Sequence, residues 1–251
     1  MWAEEEKLAR DFADVGLKRG DIVLLHTSLK RVGYLREGPE ALIKALLGLL
    51  GEDGTLMVPT LTGKRRDCPE APPVFDVGLT PCWTGIIPET VRKRENAVRS
   101  LHPTHSVAAE GREKYALTKG HELSYTPCDC MSPYYKNAVL NGKILLVGVD
   151  LESNTTIHTC EELAGVPYHL QASATEALIK DYDGREITVL NRLHNWDKPA
   201  TDFNKIEGLY SERGIIRHGR IGNAPSMIMQ AASVVECTVS LLKSKPYFFV
   251  V

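Results

Sequence analysis

Short apolar runs alternate along the chain with segments in which apolar residues recur at helical spacing. The runs at 21–28, 54–60 and 142–150 are continuously apolar and end in polar residues or glycine, which is typical of strands buried on both faces. The segments at 3–17 and 38–50 carry helical spacing and end close to glycines. This alternation of strands and helices predicts an α/β fold.

The pattern changes after Gln171, where shorter elements follow one another. We predict strands at 185–193, 214–222 and 247–251, and helices at 203–213 and 224–243. Residues 63–81 contain four prolines and no periodicity, so we predict an exposed loop there. No repeat or low-complexity linker divides the chain, and we therefore expect a single domain over residues 1–251.

Charge and composition narrow the class of protein. Thirty basic and thirty-two acidic residues give a net charge of −2, and no long basic run indicates a nucleic-acid partner. No apolar run approaches the ~20 residues that span a membrane, and the first residues lack the order of a signal peptide. We expect a cytoplasmic protein with six reduced cysteines, because Cys128 and Cys130 lack the paired spacing of a structural zinc site.

Polar residues collect where the apolar runs stop. Residues 26–28 follow the first predicted strand, Thr60 follows the second, and the stretch 154–162 follows the third. Ligands of open α/β sheets usually bind at the carboxyl ends of the strands. We therefore look for the functional site among these three places.

The stretch 154–162, "NTTIHTCEE", predicts a helix that Asn154 or Thr155 caps. His158 then shares a helix face with Glu161 at i+3, and Glu162 is also within reach at i+4. A carboxylate on one imidazole nitrogen leaves the other nitrogen free as a general base. The same pattern also fits a capped helix with a solvated histidine, and spacing alone does not choose between the two glutamates.

A metal site is a further alternative for this stretch. His158 and Glu161 match part of a known zinc motif, H-x-x-E-H, but the second histidine of that motif is absent from the helix. His169 could approach as a third ligand from beyond the helix end. Because catalytic zinc takes three well-placed protein ligands, we expect no metal.

A second polar cluster, "RSLHPTHS", spans residues 99–106. Arg99 next to Ser100 and His102 suits the binding of phosphate or pyrophosphate, and an ordinary polar surface loop fits equally well. The sequence has neither G-x-G-x-x-G nor a Walker A motif, which argues against Rossmann dehydrogenases and P-loop kinases.

Taken together, these motifs resemble the aminoglycoside 3-N-acetyltransferases, also called the antibiotic N-acetyltransferase family. The resemblance runs in the family's order from about Leu24 to Ala224. The matching pieces are "LLHTSLKRVG" (24–33), "GTLMVPTLTG" (54–63), "TGIIPETVR" (84–92), "RSLHPTHSVAAEG" (99–111), "SPYYKNAVLNGKILLVGVDLESNTTIHTCEE" (132–162) and "HGRIGNA" (218–224).

The resemblance implies a single-domain three-layer α/β/α sandwich with a mixed central sheet, unlike the GNAT acetyltransferases. It implies acetyl-CoA as co-substrate, no metal, and direct transfer to an amino group, with the 3-amino group of an aminoglycoside antibiotic as the favoured acceptor. It makes His158 the catalytic base and Glu161 its orienting acid. Residues on the CoA side would be Thr27, Ser28, Arg99, Ser100 and His102.

The acceptor is the less well defined substrate. A pocket for a polycationic antibiotic should contain carboxylates, and the part of the chain from about residue 172 should contribute to it. The candidates are Asp67, Glu70, Asp76, Asp202, Glu207 and Glu212. The alternative is a CoA-binding family member that acts on a different amine or has no activity on aminoglycosides. We expect small-molecule partners only, with a homodimer as a possible assembly.

Overall fold

Residues 3–251, which the computed structural model describes, form ten strands and nine α-helices. The strands are β1 (Ile22–Thr27), β2 (Thr55–Pro59), β3 (Val74–Asp76), β4 (Val98–Arg99), β5 (Val107–Gly111), β6 (Lys143–Val147), β7 (Thr175–Lys180), β8 (Glu186–Asn191), β9 (Ile216–Ile221) and β10 (Ala224–Gln230). The helices are α1 (Ala3–Asp14), α2 (Leu29–Val32), α3 (Pro39–Leu50), α4 (Ile86–Val91), α5 (Lys114–Thr118), α6 (Pro133–Val139), α7 (Thr156–Ala164), α8 (Glu207–Glu212) and α9 (Ala231–Ser244).

Seven strands form a mixed sheet in the order β4-β5-β2-β1-β6-β10-β9. The three apolar runs predicted from the sequence are its parallel centre, in which Leu24 of β1 pairs with Met57 on one side and Ile144 on the other. Antiparallel strands extend the sheet at both edges. Because β1, β2 and β6 run parallel, the polar residues that follow them meet at one edge of the sheet.

Helices cover both faces of this sheet. Side chains alternate along β1, so that Val23 and Leu25 enter one apolar core while Ile22 and Leu24 enter the other. Residues of α1, α3 and α4 complete the first core, and residues of α6, α7 and α9 complete the second. The predicted α/β/α sandwich with a mixed sheet is confirmed.

A second, smaller sheet has the order β3-β7-β8 and its own apolar cluster around Phe75 and Ile179. The sequence predicted β8 but not β7, and it predicted only loop where β3 lies. A three-residue strand among prolines carries too short a pattern to detect. The single-domain interpretation of residues 1–251 stays a prediction.

Two predictions near the C-terminus were wrong. Residues 224–243 are not one helix, because Ala224–Gln230 form the strand β10 before α9 begins. Residues 247–251 form a turn in which Val250 makes an isolated bridge to Thr201, and they are not a strand. A short apolar run next to a helix is compatible with both helical and strand periodicity, and here the run pairs with neighbouring strands of the sheet.

In residues 3–251 no helix combines the length and apolar character needed to cross a bilayer.

Candidate active site

A cavity of about 370 Å³ lies at the edge of the sheet where the predicted polar stretches meet. Its walls come from the ends of β1 and β2, the chain that leads from β6 into α7, and the segment after β8. The lining residues include Thr27, Thr155 and His158, with the aromatic rings of Trp83 and Trp196. Concave sites of this size, with a few polar groups on apolar walls, commonly bind small molecules.

The helix α7 presents its polar face to this cavity. The Asn154 side chain accepts a hydrogen bond from the Thr156 amide (3.2 Å), as predicted for a capping residue. Three positions apart on the helix, His158 Nδ1 and Glu161 Oε2 lie 2.7 Å apart. The Glu161 carboxylate is fully buried, whereas His158 retains 19% exposure. With Nδ1 held by the carboxylate, Nε2 of His158 is the nitrogen left for a ligand.

The structure separates the roles of the two glutamates. Glu162 accepts hydrogen bonds from Thr126 Oγ1 (2.6 Å) and from the Cys128 amide (3.0 Å), so it anchors a neighbouring loop. Only Glu161 of the two contacts His158 within the described part of the chain. Spacing alone could not make this choice, because i+3 and i+4 positions are both accessible on a helix.

A second imidazole completes the cluster. His169 Nδ1 lies 3.1 Å from Glu161 Oε2, and its Nε2 lies 3.3 Å from Glu162 Oε1. Its ring stacks on that of His158 with the centroids 4.8 Å apart. The His194 ring lies 5.1 Å from His158 and 4.9 Å from His169.

Three of these histidines also lie close enough together to be compared with a metal site. The ring nitrogens of His158, His169 and His194 come within 4.8 Å of one another. His169 Nε2 is hydrogen-bonded to Glu162, and its Nδ1 lies 3.1 Å from Glu161 Oε2. These contacts with two carboxylates give the cluster an acid–base character, and the expected absence of a metal stays a prediction.

Burial and neighbouring charges set the protonation states. Burial lowers the pKa of His158 to about 4, against the opposing effect of Glu161. Burial alone would raise the pKa of Glu161, but hydrogen bonds from His158 and His169 hold it well below its ordinary value. Burial also opposes the charged form of His169, yet the two carboxylates outweigh it and raise the pKa. At neutral pH, His158 is therefore neutral and Glu161 is ionised.

Of the five residues assigned to the CoA side, Thr27 alone lines the cavity formed by residues 3–251. Its hydroxyl is buried and has no hydrogen-bond partner within those residues. A buried polar atom without a partner is costly, which suits a contact with a ligand. Ser28 follows at the start of α2, and its amide donates to the Val147 carbonyl (2.9 Å).

The other three residues lie inside the protein. The Arg99 guanidinium donates to the carbonyl oxygens of Thr60 (3.1 Å) and Thr80 (2.6 Å), and it is only 3% exposed. Ser100 Oγ accepts from the Val107 amide, and it also pairs with a buried histidine. His102 Nδ1 accepts two amide hydrogen bonds within its own turn. Their polar groups are bonded within the protein and do not line this cavity, and their place on the CoA side stays a prediction.

Arg99→Met should destabilise the protein by on the order of 3 kcal/mol, because three carbonyl groups would each lose a donor, although the Thr60 carbonyl keeps its hydrogen bond from Ser106 Oγ. The three are those of Thr60, Val77 and Thr80. Burial lowers the pKa of Arg99 to about 10, so the guanidinium is charged at neutral pH. Thermal unfolding measures the effect, with Arg99→Lys as the matched variant that keeps the charge but loses the planar fork. An unchanged Tm together with weaker CoA binding would support the ligand-contact interpretation.

Sequence reasoning missed several residues of the cavity. Trp83 and Trp196 pack edge to face at 6.3 Å, and the Trp83 Nε1 donates to the Gly63 carbonyl (2.9 Å). None of the six predicted acidic residues lines this cavity within residues 3–251, whereas Glu152 does. Asp202 lies beside Glu152 without lining the cavity. The sequence offered only one sign of these two residues, namely their position after a strand: Glu152 comes after β6 and Trp196 after β8.

Cys160 plays no part in this constellation. Its Sγ is buried and donates to the Thr156 carbonyl (3.3 Å) on the far side of the helix from the cavity lining. Burial raises the pKa of the thiol well above its ordinary value, which keeps it protonated. All six cysteines are free, consistent with the expected thiols.

A mixed sheet covered by helices, with a histidine–glutamate pair at a ligand-sized cavity, defines an α/β protein with an acid–base site. The chain belongs to the aminoglycoside 3-N-acetyltransferase family, whose sequence profile matches residues 24–243. It is 33% identical over 270 residues to aminoglycoside N(3)-acetyltransferase VII of Streptomyces paromomycinus, covering 95% of this chain and 91% of that protein.

Solved structures agree with this assignment. The chain superposes on AAC-IIIb in its binary complex with CoASH with a TM-score of 0.82 at 27% identity, covering 98% of both chains. It superposes on a mutant of aminoglycoside acetyltransferase AAC(3)-IVa in complex with a gentamicin with a TM-score of 0.81 at 26% identity, covering 98% of this chain and 90% of the other. The family named from the motifs is confirmed.

Proposed function

We propose that this protein transfers the acetyl group of acetyl-CoA to the 3-amino group of an aminoglycoside, with His158 as general base and Glu161 as its orienting acid. The observation that carries the proposal is the 2.7 Å contact between His158 and Glu161 at the wall of the cavity. The family match spans both residues. Relatives have been solved with CoASH and with a gentamicin, which supports both substrate classes.

The proton transfer follows from the state of the pair. An amine that arrives as ammonium has no free lone pair, so a base must remove a proton before attack on the thioester. His158 is neutral at neutral pH, because burial lowers its pKa to about 4. Glu161 accepts the hydrogen bond from His158 Nδ1, which leaves Nε2 of the same ring to take up the proton. The carboxylate then stabilises the imidazolium that forms. The amine nitrogen loses a second proton as the tetrahedral intermediate collapses, so that one of the two protons protonates the departing thiolate of CoA and the other passes to solvent.

The residues around the base fit an acyl donor. The unpartnered Thr27 hydroxyl is available to a carbonyl oxygen, and Thr155 lines the cavity at the start of α7. The amides at a helix N-terminus favour the negative charge that develops on that oxygen. Because both substrates bind next to one base, proximity replaces a covalent enzyme intermediate.

The acceptor side is formed by aromatic rings and one carboxylate. Trp83 and Trp196 offer flat apolar faces, while Glu152 offers a negative charge to an ammonium group. Trp196 and His194 line the cavity from the part of the chain beyond residue 172, which supports an acceptor site there. A single carboxylate is a modest charge for a polycation, and this observation keeps a different amine acceptor as the second candidate.

The function is tested by following thiol release from acetyl-CoA with a panel of amines, with and without aminoglycosides. We expect turnover with aminoglycosides that carry a free 3-amino group, and none with an analogue in which that group is already acetylated. Turnover confined to other amines would support the second candidate, and CoA binding without any turnover would refute catalysis. Light scattering of the same preparation tests the homodimer, which stays a prediction.

A further inference from the structure

We propose that His169 is a positioning residue of this reaction: an imidazolium held between Glu161 and Glu162 that fixes the Glu161 carboxylate against His158 and limits the basicity of His158. This inference rests on the proposed role of His158 as base. His169 lies beyond the end of the helix that carries His158 and Glu161.

The two nitrogens of His169 face two different carboxylates. Nδ1 lies 3.1 Å from Glu161 Oε2 and Nε2 lies 3.3 Å from Glu162 Oε1, and the ring is 1% exposed. A neutral imidazole has a single N–H, so one of these contacts would place a lone pair against an anionic oxygen. The protonated ring donates its Nε2–H to Glu162 in a hydrogen bond and places a second N–H, at Nδ1, in ion-pair distance of Glu161 Oε2. The geometry therefore selects the imidazolium.

The charge of the cluster leads to the same conclusion. The side chains of Glu161 and Glu162 are 0% and 4% exposed, and adjacent buried carboxylates are expensive without a nearby cation. Lys198 Nζ approaches Glu161 Oε1 only to 3.9 Å. His169 is the group in direct reach of both carboxylates, and the two of them raise its pKa despite its burial.

The chain is folded so as to bring His169 to this position. The helix α7 ends at Gly165, which adopts the left-handed conformation (φ 69°) that favours glycine. The backbone then turns back along the helix, and the His169 carbonyl accepts from the Asn195 amide (2.8 Å). A ring placed by two backbone features and two carboxylates has little freedom, as a positioning group requires.

The consequence for His158 is electrostatic and geometric. Both rings approach the same oxygen, Glu161 Oε2, so the carboxylate charge is shared between them. A cation stacked 4.8 Å from His158 disfavours a second positive charge there. The groups facing His158 are Glu161 from its own helix, His169 from the turn after it, His105 from the turn before β5, and His194 and Lys198 from the segment after β8. Of these, only Glu161 favours the imidazolium.

His169→Gln tests the inference, because it removes the charge and keeps a donor. The pKa of His158, followed by NMR of the ring in the free enzyme, should rise by about one unit from its value near 4. The acid limb of kcat/KM should move to higher pH by the same amount. Because both proteins are assayed with the same amine, the ionisation of the amine cancels in the ratio of their two kcat/KM profiles. The ratio therefore reports the ionisation of His158. His218→Gln, an exposed histidine on β9, should leave the limb in place.

The NMR measurement also separates this inference from the function. The nitrogen shifts of His169 in the unmodified protein at pH 7 should show an imidazolium, whether or not any amine is acetylated and whether or not the variant folds. A neutral His169 at pH 7 would overturn the proposal. So would a His169→Gln variant that folds, loses rate and shows an unmoved His158 titration, because that result describes a structural residue only.

Discussion

Replacing His158 with alanine should lower kcat for acetyl transfer by about 10³-fold, the usual loss when a general base is removed. The fold should survive, because the side chain lies at the cavity wall and is partly exposed, so that its removal enlarges an existing space. Thiol release at saturating substrates measures the rate, and thermal unfolding checks the fold.

The pH dependence sharpens this test. As pH rises, solution supplies more free amine and the need for a base falls, so the defect of His158→Ala should shrink at alkaline pH. His218→Ala removes an exposed histidine and should retain full activity. A variant at His158 with near-normal turnover at neutral pH would show that another group accepts the proton.

Glu161→Gln should lower kcat by about 10- to 100-fold and destabilise the protein by on the order of 3 kcal/mol. Two imidazoles depend on this carboxylate, and an amide offers them one neutral acceptor oxygen. Glu162→Gln is the matched variant, because it removes the same charge one residue along the helix without touching His158. We expect similar losses of Tm from the two variants and a clearly larger loss of kcat from Glu161→Gln. Equal losses of kcat would contradict an orienting role for Glu161.

The sign of the pH effect on stability follows from the same contacts. The pKa of Glu161 is held below its ordinary 4.5, so its contribution is present above that pH and is lost as pH falls through the folded value. The pKa of His169 is raised above 6.5, so its contribution is present below that pH and is lost as pH rises through the folded value. The Tm of Glu161→Gln, measured as a function of pH, should therefore lie furthest below that of the unmodified protein between pH 4.5 and pH 6.5.

The sequence predicted the parts of the fold that its periodicity distinguishes. The three parallel strands were found because a strand buried on both faces is continuously apolar, and α7 was found from its capping residues and spacing. Strand β10 was missed because its seven residues, which are mostly apolar, run directly into helix α9 and were included in the pattern of that helix. Only pairing with β6 and β9 identifies β10 as a strand, and pairing partners distant in sequence leave no local signal.

The site was predictable where its residues are close in sequence. His158 and Glu161 are one helical turn apart, so spacing alone suggested their contact. His194 and Trp196 line the cavity from the segment that follows β8 of the second sheet, and no local sequence pattern indicates that this segment lies near His158. The sequence could not show that the Arg99 guanidinium binds carbonyl groups of the protein itself, because a polar motif has the same composition whether its groups bind a ligand or the backbone.

The cavity takes its walls from the central sandwich and from the segment that follows the small sheet, and this division affects how the protein can change. The base and its acid are fixed in the central sandwich, whereas Trp196 belongs to a segment that follows the small sheet. A substitution at Trp196 can alter the shape offered to an acceptor while the contact between His158 and Glu161 stays in place. The architecture thus separates a constant chemistry from an adjustable choice of target, which is the condition under which a family diversifies against new compounds.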